Sequence, residues 1–307
     1  MRKPIIKNIL VTFLLLVNSL AMADLGSLSL YPRSLIQVPE GIEHVLVSEL
    51  EAGVLHVYSR NTEGFTRTTT MPVSIGKSGF GKEVEGDNKT PVGVYRITSH
   101  LTEEQLDDFY GKSAYPINYP NSWDRLNGRT GYGIWFHAEP LGLLEKTRPK
   151  LDSNGCVVLS NNDIDILQQY LSVGYTPVIL TPALQLVTRD KIEEKRQQLL
   201  DAVEAWRADW QSQQIEPYLA HYADGFSSIK QNLEQWKSHK TRINKAKSFI
   251  RVSLSDISIY DYPGEDDLVQ VDFYQAYRSS NYNADGWKRQ LWRLHDQQWK
   301  IVFEGNR

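Results

Sequence analysis

The chain has 307 residues, one cysteine and a formal net charge of −3 at pH 7. A chain of this length is expected to form about two domains, each large enough to bury its own core. The mixed charges and the absence of long like-charge blocks are typical of an ordinary globular protein, and they argue against a disordered tail or nucleic acid binding.

The first 23 residues have the pattern of a secretory signal peptide. Basic residues precede an apolar run from Ile9 to Val17, and Ala21-Met22-Ala23 forms a small-x-small cleavage site. The apolar run is too short to cross a membrane as a helix, which needs about 20 residues. We therefore expect cleavage after Ala23, export of the mature protein and no membrane span.

The single cysteine, Cys156, is unusual in an exported chain because it has no partner for an internal disulfide. A lone exported thiol is either a functional group or a small buried core residue. Composition leaves both interpretations open, so the local sequence has to decide.

The N-terminal half is predicted to be mainly β. Residues 43–58 alternate between apolar and polar positions around Glu51-Ala52-Gly53, which predicts a β-hairpin. Residues 68–75 and 94–98 predict two more strands. The glycine-rich segment between them ends in Lys89-Thr90-Pro91-Val92-Gly93, where we expect Thr90 and Pro91 to shape a turn.

The middle of the chain is predicted to carry a short acidic helix over 101–110 and then a long aromatic loop with several prolines. An apolar strand follows from Gly133 to His137, and a second loop runs from Ala138 to Asn154. His137 is thus expected at a strand end that borders a loop.

A second strand is predicted from Cys156 to Leu159, directly after this loop. Ser160 and Asp163 predict the capping box of a helix that extends to about Leu171. Residues 177–180 predict a closing strand. Cys156 is therefore expected between a loop and a strand.

The composition changes near residue 186, where we expect a domain boundary. A long charged helix is predicted from Asp190 to about Gln214, with an apolar face that includes Trp206 and Trp210. Four strand-length runs follow, with 283–286 predicted as one of the turns between them. The runs are 249–260, 268–277, 287–294 and 299–304. The order predicts an α+β layer, with the helix packed on an antiparallel sheet.

His137 and Cys156 form the strongest candidate site. A free thiol is only slightly ionised at neutral pH, so a nucleophilic cysteine needs a base nearby, and histidine has a suitable pKa. Gly155 leaves room for the backbone amides of Asn154, Gly155 and Cys156 to converge on an oxyanion. The pattern indicates a cysteine acyltransferase or hydrolase, although six other histidines satisfy the same reasoning.

Three motifs in a defined order make this interpretation specific. They are Gly86-Asp87-Asn88-Lys89-Thr90-Pro91-Val92-Gly93-Val94-Tyr95, Gly131-Tyr132-Gly133-Ile134-Trp135-Phe136-His137 and Ser153-Asn154-Gly155-Cys156-Val157. Together they resemble the L,D-transpeptidase catalytic domain over about residues 43–182.

The resemblance implies a mainly β fold in which Cys156 attacks the third-residue carbonyl of a peptidoglycan stem tetrapeptide and releases D-alanine. His137 matches the family's catalytic base, which is commonly oriented by a backbone carbonyl, here that of Ala138. An amine then resolves the thioester in an L,D-transpeptidase, and water does so in an L,D-carboxypeptidase. No metal or organic cofactor is implied.

Three positions depart from the family pattern. Asn154 replaces a histidine two residues before the nucleophile, Val158 replaces an arginine or asparagine, and Ala138 replaces a glycine that often follows the base. Because an amide cannot act as a base, proton transfer falls on His137 alone. The departures resemble a divergent branch that includes L,D-carboxypeptidases, and they favour water as the acceptor.

Ser153, Arg129 and Tyr132 are candidate substrate-binding residues beside this site. The planar guanidinium of Arg129 suits a substrate carboxylate, but a surface ion pair explains this residue equally well.

The C-terminal half resembles the nuclear-transport-factor-2-like cone fold through Trp206, Trp210, Tyr218, Tyr222 and the strands after them. Exported L,D-carboxypeptidases that shape curved or helical cells are similar in pairing a catalytic domain with such a cone. No acid–base pair is evident in this half, so we expect a binding or positioning module. A homodimer through the exposed face of its sheet is also predicted.

The predicted organisation has four parts in a periplasmic protein that binds peptidoglycan stem peptides. These are a signal peptide (1–23), a lead-in (24–42), an L,D-transpeptidase-like catalytic domain (43–186) and a nuclear-transport-factor-2-like domain (187–307). The alternative hypothesis is a catalytically degenerate protein that docks on peptidoglycan while its C-terminal domain recruits a partner.

Overall fold

The computed structural model describes residues 30–140, 142 and 148–307. The expected signal peptide and its cleavage site lie outside the described residues. The strands are β1 (Leu30–Pro32), β2 (Leu35–Gln37), β3 (His44–Glu49), β4 (Val54–Asn61), β5 (Gly64–Pro72), β6 (Ile75–Gly76), β7 (Gly93–Arg96), β8 (Leu101–Thr102), β9 (Ser113–Pro116), β10 (Trp135–Ala138), β11 (Leu151–Ser153), β12 (Val157–Leu159), β13 (Pro177–Thr181), β14 (Leu186–Thr188), β15 (Tyr222–Ser227), β16 (Ile250–Asp261), β17 (Leu268–Ser279), β18 (Asn283–His295) and β19 (Gln298–Asn306). The α-helices are α1 (Ser122–Leu126), α2 (Asn161–Gln168), α3 (Arg189–Ser212), α4 (Ile215–Ala220) and α5 (Leu233–Lys245).

The predicted hairpin is confirmed as β3 and β4, which pair antiparallel within a five-stranded sheet of order β5-β4-β3-β13-β7. The segment predicted to close the domain, β13, lies inside this sheet, parallel to β3 and antiparallel to β7. Successive side chains of β3 are buried on opposite faces. Leu46 joins the N-terminal core, whereas Val45 and Val47 join a cluster shared with the C-terminal part.

A four-stranded sheet of order β12-β10-β9-β8 carries the candidate reactive residues. Strands β10 and β12 are parallel, with Phe136 opposite Val157, and both side chains are fully buried in the N-terminal core. Helix α2 packs Ile164 and Leu167 into the same core. It begins after Ser160 as predicted, because the Ser160 hydroxyl accepts the Asp163 amide proton at 3.0 Å.

The short helix predicted over 101–110 is wrong. The segment contains β8 and two 3-10 turns, Glu103–Gln105 and Asp108–Tyr110, separated by Leu106 in an extended conformation. None of the residues in the two turns is buried. A helix this short depends on packing an apolar face, and this segment has no such face against the core.

The C-terminal part has a six-stranded sheet of order β15-β19-β18-β17-β16-β2. The predicted helix is confirmed as α3, whose side chains Leu199, Val203 and Trp206 are buried on the sheet. Helices α4 and α5 and strand β15 were not predicted. The turn predicted at 283–286 is wrong, because these residues begin β18 and pair with β17. Polar turn residues are tolerated there since this end of the strand is largely exposed.

The opposite face of the C-terminal sheet packs against the N-terminal part. Leu268, Leu291 and Phe303 form a buried cluster with Val45 and Val47 of β3. The lead-in adds a further link, because β2 is the edge strand of the C-terminal sheet. The sheet face that we expected to be free for dimerisation is therefore largely covered within the chain, and the homodimer stays a prediction.

Among the described residues, no helix is both long and apolar enough to span a membrane.

Candidate active site

The parallel pairing of β10 and β12 brings the two predicted reactive residues to one place. His137 is in register with Val158, and Cys156 immediately precedes β12. Both side chains line the same cavity of about 200 Å³. The thiol of Cys156 is partly exposed, so it is accessible to a substrate in this cavity.

His137 is held in one tautomer by its neighbour. Its Nδ1 lies 2.7 Å from the carbonyl oxygen of Ala138. Since a carbonyl oxygen only accepts hydrogen bonds, Nδ1 carries the proton and Nε2 keeps its lone pair. Burial lowers the pKa of His137 to about 4, the Ala138 carbonyl opposes this shift, and the nearby positive charge of Arg148 adds to it. The imidazole is therefore neutral at neutral pH.

The thiol of Cys156 is also neutral. Desolvation of the sulfur raises the pKa of Cys156 to about 11. The Trp135 backbone amide and the positive charges of Arg148 and Lys82 lower this pKa, but they do not offset the desolvation. The thiol donates a hydrogen bond to the carbonyl oxygen of Gly133, with 3.4 Å between sulfur and oxygen. The thiol and the imidazole are thus both neutral, and neither is ionised in advance of substrate binding.

The loop before the nucleophile is closed by Ser153. Its hydroxyl accepts the Gly155 amide at 3.0 Å and donates to the Cys156 carbonyl oxygen at 2.6 Å. The Gly155 amide is therefore occupied, which corrects the expectation that it faces an oxyanion. Ser153 is buried and shapes the loop, although it also lines the cavity. Asn154 is exposed and lines the same cavity.

Gly155 has a steric reason to be glycine. Its φ is +124°, and a Cβ there would lie 2.8 Å from the Lys89 carbonyl oxygen. The motif that contains Lys89 and Thr90 thus packs directly on the nucleophile loop.

Thr90 connects this loop to the rest of the domain. Its fully buried hydroxyl accepts the Gly76 amide at 2.9 Å and donates to the Gly155 carbonyl oxygen at 3.0 Å. Thr90 therefore holds the loop that carries Cys156, although Thr90 itself does not line the cavity.

We expect Thr90→Val to destabilise the protein by about 2–4 kcal/mol, because the isosteric side chain leaves two buried backbone groups without partners. Denaturant unfolding measures the change. Thr98→Val is the matched control, since the exposed Thr98 hydroxyl has the Pro116 carbonyl as its one partner among the described residues. We expect that control to lose less than about 1 kcal/mol. Equal stability of the two variants would contradict the assigned role of Thr90.

Aromatic side chains form the rim of the cavity. Tyr132 is 77% exposed between two glycines with positive φ, and Tyr110 lies edge-on to His137 with 5.2 Å between ring centroids. Phe109 also lines the cavity. Tyr132 therefore does border the predicted site, whereas Phe109 and Tyr110 were missed because their segment was predicted to be a helix.

Two cationic residues of the cavity were also missed. Lys82 is buried, and its Nζ donates to Asp87 at 2.8 Å and to the Val84 carbonyl oxygen at 3.0 Å. Arg148 lies close enough to affect the pKa of both His137 and Cys156. Its guanidinium contacts Asp152, with 2.9 Å between Nε and Oδ2. Neither residue has a distinctive local sequence, so only the folded chain reveals them.

Arg129 does not line the cavity, which corrects its assignment to substrate binding. Its guanidinium donates to the fully buried carboxylate of Asp124 at 3.0 Å. Asp124 also accepts hydrogen bonds from the Tyr95 hydroxyl and the Asn121 amide. Arg129 therefore neutralises a buried acid and stabilises the segment around α1.

The described ranges contain no group of three or more histidine, cysteine, aspartate or glutamate side chains arranged to hold a metal ion.

Two family models match the chain. The L,D-transpeptidase catalytic domain matches residues 43–180, and the Cds6 C-terminal NTF2-like domain matches residues 198–305. These matches confirm both resemblances and the predicted fold class.

Solved structures resemble the chain over nearly its whole length. Bd1075 of Bdellovibrio bacteriovorus is 32% identical with a TM-score of 0.75, and the match covers 90% of this chain and 98% of that chain. The helical cell shape determining protein Pgp2 of Campylobacter jejuni is 26% identical with a TM-score of 0.76, covering 89% and 95% respectively. The search of curated proteins gave no significant match.

Proposed function

Since the chain belongs to the L,D-transpeptidase family, we propose that it is a peptidoglycan-modifying enzyme with Cys156 as its nucleophile. The substrate is a stem tetrapeptide, and the scissile bond joins its third residue to the terminal D-alanine. The observation that carries the proposal is the accessible thiol beside a histidine whose Nδ1 proton is bonded to the Ala138 carbonyl.

The first half-reaction forms a thioester. As Sγ of Cys156 bonds to the carbonyl carbon, its proton passes to Nε2 of His137 and the carbonyl oxygen becomes an oxyanion. The C–N bond then breaks, and His137 returns the proton to the departing amine of D-alanine. Within the described part of the chain, the amides of Asn154 and Cys156 remain for the oxyanion, because the Gly155 amide is bonded to Ser153.

The neutral resting pair is compatible with this mechanism. Proton transfer accompanies attack, so no thiolate has to persist at the desolvated sulfur. His137 is then the single proton-transfer group, in agreement with Asn154 at the position where the family usually has a second histidine.

Lys82 and Arg148 support an anionic substrate. Both cations line the cavity beside Cys156. The terminal D-alanine of a stem peptide carries a carboxylate, which such positive groups attract. We propose that they hold this carboxylate so that the preceding carbonyl lies at the thiol.

Water is the proposed acceptor. The cavity of about 200 Å³ is smaller than the 300–1,000 Å³ typical of sites for drug-sized ligands. It suits the end of one stem peptide better than two stem peptides together. Water attacks the thioester with His137 as the base, and a tripeptide leaves as the C–S bond breaks and the thiol is restored.

A periplasmic location and a role in cell shape are parts of the same proposal. Pgp2 is described as a helical cell shape determining protein, and it resembles this chain along both domains. We extend that role to this chain, with the C-terminal domain as a positioning module.

A binding protein without turnover is the second candidate, and the neutral thiol with its pKa of about 11 is the observation that favours it. Alkylation rates do not separate the candidates, because the resting thiol is unactivated in both. Turnover itself is the distinguishing property.

The decisive experiment incubates the purified mature protein with tetrapeptide muropeptides and resolves the products by mass spectrometry. We expect tripeptides and free D-alanine in equal amounts, without 3-3 linked dimers. Dimers would show an amine acceptor, and unchanged tetrapeptides that nevertheless bind would favour the second candidate.

A further inference from the structure

A second cavity lies between the C-terminal sheet and the N-terminal part. Its volume is about 220 Å³, and it shares no lining residue with the cavity of Cys156. Arg96 of β7 forms part of one wall, and Gln270 and Asp272 of β17 with Arg289 of β18 form part of the other. The lead-in completes the wall near Pro39.

One ion pair in this cavity is already complete. Arg289 and Asp272 are both buried, and their two parallel hydrogen bonds are each 2.7 Å long. Asp272 also accepts a hydrogen bond from the Gln270 side-chain amide at 3.2 Å. This carboxylate is therefore largely committed to groups other than Arg96.

Arg96 is a cation without a partner of this kind. Its Nη1 is fully buried and has no hydrogen-bond acceptor among the described residues. Burial, together with the neighbouring charges of Arg289 and Arg307, lowers the pKa of Arg96 to about 10, although the Asp272 carboxylate opposes this shift. A buried charged donor without an acceptor is costly, so the site is incomplete as it stands.

The same cavity offers an unpaired acceptor. The Gln270 side chain is 1% exposed, and its Oε1 has no hydrogen-bond donor among the described residues. Trp287 and Tyr260 supply apolar surface, and Arg307 lies over the Trp287 ring at 4.4 Å from its centroid. A complementary ligand would bring an anionic group, a hydrogen-bond donor and a small apolar body.

We propose that this cavity binds a small carboxylate compound with a neighbouring N–H donor, as in a free amino acid or the C-terminal residue of a peptide. The carboxylate accepts from the Arg96 guanidinium, and the N–H donates to Gln270 Oε1. A neutral or cationic ligand would leave Arg96 unpaired, and a carboxylate without a donor would leave Gln270 unpaired. The site does not depend on the chemistry at Cys156.

Calorimetric titration of the intact protein with three probes tests the proposal. The probes are D-alanine for a free amino acid, N-acetyl-D-alanine for a peptide end, and propionate, which lacks the donor. We expect D-alanine, N-acetyl-D-alanine or both to bind at least about tenfold more tightly than propionate. Propionate leaves the buried Gln270 Oε1 without a donor, and the loss of one buried hydrogen bond corresponds to about this difference. Tighter binding of D-alanine identifies the ligand as a free amino acid, and tighter binding of N-acetyl-D-alanine identifies it as a peptide end.

Arg96→Gln should weaken the tighter probe by at least about tenfold, because a charge-assisted hydrogen bond is lost. Arg67→Gln removes the same charge from the exposed face of β5 and should leave binding unchanged. Arg148→Gln removes one of the cations proposed to hold a carboxylate beside Cys156 and should leave binding at this cavity unchanged, which separates the two sites.

A measurement on the unmodified protein tests the proposal even if the Arg96→Gln variant fails to fold. Binding should shift the side-chain amide resonance of Gln270 in nuclear magnetic resonance spectra. The proposal is overturned if no probe binds, if propionate binds as tightly as the other two, if folded Arg96→Gln binds normally, or if the Gln270 resonance stays in place.

Discussion

Cys156→Ala should reduce kcat/KM for D-alanine release at least about 10³-fold, because the thioester intermediate cannot form without the sulfur. Loss of the proposed nucleophile removes the whole covalent route, and the cations Lys82 and Arg148 that line the cavity do not replace it. Mass spectrometry of tetrapeptide digests measures the change.

Folding of the variant separates chemistry from stability. The Cys156 side chain is partly exposed and its thiol makes one weak hydrogen bond, so we expect the unfolding midpoint to change little. Cys156→Ser keeps a hydroxyl in the same place and should be nearly as inactive, because His137 has to deprotonate a much weaker acid. Unchanged D-alanine release by folded Cys156→Ala would refute the assignment of the nucleophile.

His137→Ala should lower kcat/KM by about 10²- to 10⁴-fold, which is the range for loss of a general base. We expect a larger effect than in enzymes with two bases near the thiol, because Asn154 cannot take over. His295→Gln is the matched control, since this histidine is highly exposed on β18 and remote from the cavity. Its activity should equal that of the unmodified protein.

The pH dependence of the unmodified protein tests the state of His137 directly. Its pKa is lowered from 6.5 to about 4, so the neutral base is present above about pH 4 and is lost as the pH falls through that value. We expect kcat/KM to stay nearly constant between about pH 5 and 9. A half-maximal value near pH 6.5 would contradict a buried, neutral histidine in the free enzyme.

The candidate pair, His137 and Cys156, could be singled out from the sequence because its signals are local. Glycine, a single cysteine and an apolar strand ending in histidine occur within short motifs, and their order indicates the family. The match of family models to residues 43–180 and 198–305 agrees with this interpretation of both halves.

Errors in the predicted elements arose where a local pattern lacked its tertiary partner. The acidic segment 101–110 satisfies helix composition but has no buried face, so it forms β8 and two 3-10 turns. The polar segment 283–286 resembles a turn, yet eleven successive pairs hold β18 to β17, and four of these involve 283–286. Cross-strand hydrogen bonding decided that case against local propensity.

The charged residues show the same dependence on tertiary contacts. The guanidinium of Arg129 could bind a substrate carboxylate, as its chemistry predicts. In the folded chain it instead forms an ion pair with the buried carboxylate of Asp124. Lys82 and Arg148 stand outside the three motifs and still affect the pKa of Cys156. The distance between charges and their desolvation depend on the folded chain, and a sequence contains neither quantity.

The sequence by itself determined the identity of the candidate nucleophile and base, the two-part organisation and the β-rich character of the N-terminal half. Residue type, spacing and period carry this information, since they set covalent chemistry and local backbone preference. Only the tertiary structure decided the protonation of the thiol–imidazole pair, the engagement of the Gly155 amide by Ser153 and the unpaired state of Arg96. The protonation of the pair and the state of Arg96 follow from burial and from contacts between residues distant in the chain. The hydrogen bond from Gly155 to Ser153 joins near neighbours, but the loop that allows it is held by contacts with Lys89 and Thr90.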